Sequence, residues 1–78
     1  MNNKREMKIE ISETQPLNLV VEALEKLGFV ENGFDDKAKS VTTYADGTFS
    51  AWRFGIERCY HHNDLVTLAE LNNLQVEG

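Results

Sequence analysis

Met7, Ile9 and Ile11 alternate with Lys8 and Glu10. A period of two sends one side of a strand into a core and the other into water, so this stretch reads as a half-buried strand. Ser12 to Gln15 turn the chain. Thr14 is the expected N-cap, with Pro16 in the first helical turn, where its missing N–H costs nothing. The period then changes. Leu17, Val20, Val21, Leu24 and Leu27 form one apolar stripe, with Asn18, Glu22, Glu25 and Lys26 opposite. Glu22 and Lys26 stand four apart in the favourable order. Gly28 supplies a left-handed C-cap, and Phe29 can fold back on the last turn. The spacing predicts a helix over 16–27.

Residues 29–38 carry mixed signals. Phe29-Val30 could open a strand, Asn32-Gly33 marks a turn, and Asp35-Asp36-Lys37 is loop-like. Ser40 to Tyr44 and Thr48 to Phe54 are rich in β-branched and aromatic residues, and they flank the hairpin signal Asp46-Gly47. Two registers fit it. A two-residue loop pairs Ala45 with Thr48, and a three-residue loop with a glycine bulge pairs Tyr44 with Thr48. In the second strand Trp52 and Phe54 share a side with Ser50, while Phe49, Ala51 and Arg53 share the other. Trp52 and Phe54 offer the larger apolar area and are expected to face the core.

Gly55 marks a bend, and Ile56 to Tyr60 read as a further strand. Asn63 or Asp64 is the expected cap of a second helix from Leu65 to about Asn73. Leu65, Leu68, Ala69 and Leu71 would form its inner side, with Asn72 near the middle of that stripe. The expected fold is α+β, in the order β-α-β-β-β-α. An antiparallel sheet of three or four strands packs under two helices as a two-layer sandwich. A mobile polar stretch, residues 1–6, precedes one domain over 7–76.

Seventy-eight residues leave room for one core. The balance of 41% hydrophobic and 27% charged residues is that of an ordinary globular chain. No apolar run approaches the ~20 residues that span a bilayer. No apolar stretch follows Met1-Asn2-Asn3-Lys4-Arg5-Glu6, so no signal peptide is expected. The single cysteine, Cys59, cannot make an internal disulfide, and a cytoplasmic location follows as the expectation.

Thirteen acids against eight bases give a net charge of −5. That argues against direct nucleic-acid binding, which needs a basic face to displace counterions. The acids are unevenly placed. Glu10, Glu13, Glu22, Glu25, Glu31, Asp35 and Asp36 face only Lys26 within their segment. Such a run is either a solvated face or a patch that steers towards a basic partner.

Cys59-Tyr60-His61-His62-Asn63-Asp64 is the densest group of reactive side chains. Cys59, a histidine and Asp64 could ligate zinc, but a structural site needs a second ligand pair that the sequence lacks. Cys59 and His61 could pair as thiolate and base on a strand, yet no third group or oxyanion hole is evident. The acids do not follow the EF-hand spacing, and the phosphate-loop glycine patterns are absent. No catalytic residue, metal or cofactor is therefore assigned.

Of the hairpin aromatics, Tyr44, Phe49 and Tyr60 could remain outside the core, where aromatic residues suit a protein interface. The leading expectation is a small acidic, non-enzymatic protein-binding module, a monomer or weak homodimer, whose partner carries a basic surface. Its contact residues would be Glu22, Glu25, Glu31, Asp35, Asp36, Tyr44 and Phe49. In size and charge alone it resembles phage-encoded inhibitors that occlude basic, nucleic-acid-handling surfaces; no motif carries that resemblance. The alternatives are a metal-binding or weakly catalytic domain centred on Cys59 and His61, and a self-associating structural protein that uses a hairpin edge.

Overall fold

A computed structural model describes residues 4–77, with side chains described for residues 4–74. Its elements are β1 (Met7–Glu10), α1 (Leu17–Lys26), β2 (Val30–Glu31), β3 (Ser40–Thr43), β4 (Thr48–Trp52), β5 (Asp64–Leu65) and α2 (Leu68–Glu77). A short 3₁₀ turn, Ile56–Arg58, separates β4 from β5. The fold is α+β with two helices, but its one sheet is mixed and five-stranded, in the order β2-β4-β3-β1-β5. The three central strands are antiparallel, as expected. The edge strands β2 and β5 each add a two-residue parallel pairing, to β4 and β1. The Ile56–Tyr60 strand does not form. The N–H groups of Arg58 and Cys59 turn back to the carbonyls of Gly55 and Ile56 instead. No helix of the described residues is long and apolar enough to cross a membrane.

β1, β2, β4 and β5 all run in one direction, so β1–α1–β2 and the passage from β4 to β5 are both parallel crossovers. Parallel crossovers are right-handed. The first moves one way across the sheet and the second the other way. Two right-handed connections of opposite sense must take opposite faces. Helix α1 therefore lies on one face, and residues 55–63 cross the other.

The helix ends are set locally. Pro16, in an extended conformation, occupies the N-cap of α1, and its carbonyl accepts from the N–H groups of Leu19 and Val20. Thr14 does not cap; its hydroxyl pairs with that of Ser12. Gly28, at φ +97°, ends the helix, and the Phe29 N–H returns to the Leu24 carbonyl at 3.0 Å. The Lys4 ammonium donates to the Leu27 carbonyl at 3.0 Å, placing a cation at the helix's negative end. Lys4 N–H also bonds the Ala45 carbonyl, and Glu6 carbonyl accepts from Asp64, so residues 4–6 are tied into the fold. The rest of the expected mobile stretch, residues 1–3, lies outside the described residues.

Helix α2 starts at Leu68 rather than Leu65 because Thr67-x-x-Glu70 forms a capping box. Glu70 N–H donates to Thr67 Oγ1 at 3.2 Å, and Thr67 N–H donates to Glu70 Oε1 at 3.0 Å. The later start leaves Leu65 in β5, buries Leu71, and turns Ala69 and Asn72 to solvent. Asn63 is buried but caps nothing. Its Nδ2 donates to the carbonyls of Met7 and Thr43, at 3.1 and 3.3 Å.

Tyr44 N–H donates to the Thr48 carbonyl, and Gly47, at φ +91°, donates to the Tyr44 carbonyl. The hairpin therefore uses the three-residue loop. That register sets Thr43 opposite Phe49 and Val41 opposite both Ala51 and Ile9. One sheet side thus carries Met7, Ile9, Val41, Phe49 and Ala51, which pack under Val20, Ala23 and Leu24 of α1 and Leu71 of α2. Trp52 and Phe54 have the opposite parity and do not enter this core. Phe49 is 0% exposed and Trp52 37%.

Leu24→Ala and Phe49→Ala should each cost ~2–5 kcal/mol by leaving a cavity. At roughly 4–8 °C per kcal/mol for a domain this small, both should lower the melting temperature by about 10 °C or more. Trp52→Ala should lower it by less than half as much. Circular-dichroism melts check the order, and a larger loss for Trp52→Ala than for Phe49→Ala would place the core on the wrong side of the sheet.

Candidate functional site

The sheet side away from the helices presents Lys8 from β1, Ser40 and Thr42 from β3, and Ser50 and Trp52 from β4. Residues 55–63 are fastened over the β3–β1 half of it by polar contacts. Ser40 Oγ donates to the Phe54 carbonyl at 2.7 Å, and Thr42 Oγ1 donates to Cys59 Sγ at 3.3 Å. Cys59 Sγ in turn lies 3.7 Å from Ser40 Oγ. Lys8 Nζ reaches the Tyr60 carbonyl at 3.5 Å. The hydroxyls suit a docked irregular segment, whose backbone groups would otherwise be buried without partners.

The segment stops short of β4. Between them lies a cleft of about 230 Å³ lined by Thr42, Tyr44, Trp52, Phe54, Arg58, Cys59 and Tyr60. The Trp52 and Phe54 rings stack at 5.3 Å and 20°. The Arg58 guanidinium sits 5.9 Å from the Phe54 ring centroid, a cation–π approach. Tyr60 stacks on His62 at 5.5 Å. Trp52 also borders a second cleft, of about 260 Å³, whose lining includes Phe34, Asp35, Ser50 and Arg53. Phe34, 51% exposed, therefore flanks Trp52 on one side as Phe54 does on the other.

The sequence-assigned contact residues fall in three places. Tyr44 lines the first cleft. Phe49 is enclosed in the core and offers no surface, because the hairpin register turns it towards α1. The acids divide between layers. Glu22 and Glu25 are exposed on α1, and Glu22 borders a small groove between α1 and α2. Glu31 ends β2, where its carboxylate accepts the Gly33 N–H at 2.9 Å. Asp35 and Asp36 lie in the loop beside β4. Asp36 is exposed and makes no ion pair among the described residues.

Asp35 is held. Its Oδ1 accepts the Lys37 N–H at 2.9 Å, and its Oδ2 accepts from Arg53 Nε at 2.7 Å. The Lys37 N–H is the largest influence and lowers its pKa below the ordinary carboxylate value; desolvation opposes it, and the Arg53 guanidinium lowers it further.

Cys59 is buried against the sheet, whereas His61 and His62 are exposed, with His62 Nε2 3.5 Å from a Glu6 oxygen. The structure does not gather the cluster around a common point. Among the described residues no three His, Cys, Asp or Glu side chains come together as metal ligands do. Sequence reasoning passed over Phe34, Trp52, Phe54 and Arg58 as surface residues. The available signal was Ser40, Thr42 and Ser50, small hydroxyl residues that leave room on one sheet side for a crossing segment.

The Asp35 carboxyl should titrate below the ordinary carboxylate value in a ¹³C-detected NMR titration. Arg53→Ala should raise that midpoint only part of the way, since the Lys37 N–H remains. Because the pKa is lower in the folded state, the stabilising contribution is present above the unfolded-state pKa and is lost as the pH falls through the lowered one. An Asp35 midpoint at or above the ordinary value would remove the interaction.

Comparison with protein-family models, with curated proteins and with solved structures finds no match, so the surface is read from its own chemistry.

Proposed function

We propose that the chain is a non-enzymatic protein-binding module whose contact surface is the sheet face opposite the helices, with Trp52 at its centre. One observation carries this reading. The largest side chain of the protein stands outside the core, on a face whose covering segment stops short of it, between two clefts. Tryptophan in such a setting is the residue type that most often dominates a protein interface. Cleft volumes of about 230 and 260 Å³ fall below the ~300–1,000 Å³ that enclose a whole small ligand, and suit single side chains of a larger partner.

Charge supports a basic partner. Asp36 is exposed in the loop that carries Phe34, Glu31 is exposed on the edge strand β2, and the chain as a whole is at −5. Glu22 and Glu25, in the helix layer, add to the field that steers approach rather than to the contact. A module of this charge is suited to occlude a basic surface that handles nucleic acid. Arg58 lies in the first cleft, away from the acids of the Phe34 loop, and gives the face a polarity that sets the register of docking.

With a partner isolated from the native host, Trp52→Ala should raise the dissociation rate about 30-fold, the equivalent of a hot spot of ~2 kcal/mol. The double reversal Glu31→Lys, Asp36→Lys should slow association more than it speeds dissociation, and added salt should do the same. Asp35 is left intact because it is engaged by Arg53 and Lys37. Surface plasmon resonance gives both rates, and a partner that binds Trp52→Ala as tightly as the parent protein would move the contact surface elsewhere.

A further inference from the structure

The first cleft and the loop beside the second are complementary to each other. The cleft is walled by Tyr44, Trp52, Phe54 and Tyr60 and contains one charge, the Arg58 guanidinium. Among the described residues the Arg58 guanidinium has no carboxylate partner, and it lies against the Phe54 ring. The loop offers the converse: an exposed aromatic ring, Phe34, followed by Asp35 and the unpaired Asp36. One chain cannot bring the two together, because Phe34 and the Arg58 cleft lie on opposite sides of Trp52.

We infer that this face closes on a second copy of the chain, each copy seating Phe34 in the other's aromatic cleft and setting Asp36 against the other's Arg58. The arrangement of donor and receptor about Trp52 fixes the symmetry. A two-fold axis beside Trp52 carries the Phe34 side of one copy onto the cleft side of its mate, and both contacts form at once. That is an isologous interface, which stops at two copies.

Size limits its strength. The molecule measures 31 × 23 × 19 Å, and the two clefts occupy part of one face. The area covered is below the ~1,200 Å² of a standard interface, so the dimer is weak and forms at high micromolar concentration. The inference rests on the preceding reading only in taking this face as the contact surface. A partner that used Trp52 would compete with the second copy for it.

Sedimentation velocity over about 10 μM to 1 mM, a range that spans a weak interface, tests the dimer. The expected result is a rise in sedimentation coefficient from monomer towards dimer as concentration increases. Arg58→Glu alone and Asp36→Arg alone should each abolish it, because either creates two like-charge contacts. Mixing the two variants should restore it, since each Asp36–Arg58 contact is then matched with its complement, in the native or the reversed sense. No contact within one chain can be rescued by mixing. Both positions are exposed, and circular dichroism confirms that the variants stay folded.

A chain that stays monomeric throughout would overturn the inference and leave the cleft to a partner other than itself. Association that survives either reversal would also overturn it, by placing the contact on another surface such as the β2 edge. Neither result touches the foreign-partner reading, which is decided by the Trp52→Ala dissociation rate.

Discussion

The pairing of Thr43 with Phe49 governs the layout of this protein. A pleated strand sends alternate residues to opposite sides, so fixing one pair fixes every side chain of β3 and β4. The loop Ala45-Asp46-Gly47 makes that choice, with Gly47 in the left-handed region and Asp46 Oδ1 accepting from both the N–H and the hydroxyl of Thr48. Had the loop been one residue shorter, Trp52 would have shared a side with Val41 and Ile9. As it stands, the largest ring of the chain is left on the face away from both helices, and the surface properties of the molecule follow from that.

A second polar fixture holds the sheet where its regular ladder fails. Met7 N–H donates to Thr43 Oγ1 at 2.7 Å, and Thr43 Oγ1 donates onward to the Arg5 carbonyl. Asn63 bridges the carbonyls of Met7 and Thr43 from the crossing segment. Two side chains thus do the work of missing backbone bonds and join β1, β3 and the approach to β5. The Asn63 Oδ1 atom is buried without a protein partner, so the amide is committed as a donor.

What could be read from the sequence divides by the range of the interaction. Helix α1, its glycine terminus and the Phe29 return depend on residues within a turn of one another, and all three were legible. So was the hairpin at Asp46-Gly47, though not its register. The side taken by Trp52 was misread because it depends on the pairing of Val41 with Ile9, 32 residues away in sequence, and side-chain size was a poor guide to it. The edge strands β2 and β5 are two residues long and show no period. The start of α2 was misplaced although Thr67 and Glu70 stood at capping-box spacing. For the candidate site, the acids could be counted but not assigned to a layer; Tyr44 was found, Phe49 was misassigned, and the stacked pair of Trp52 and Phe54 was placed in the core.

The join between Lys4 and the end of α1 bears on how such a chain can change. Gly28 is confined to glycine by its φ of +97°, and a Cβ there would stand 2.9 Å from Lys4 Nζ. The ammonium approaches the Leu27 carbonyl and lies 5.5 Å from the Phe29 ring through space that only a glycine leaves open. Positions 4 and 28, remote in sequence, therefore form one unit of inheritance. A lineage that replaced the glycine would strain the backbone at that φ and oblige the lysine's ammonium to shift. Selection at the start of the chain is in this way tied to the geometry of a helix end more than twenty residues on.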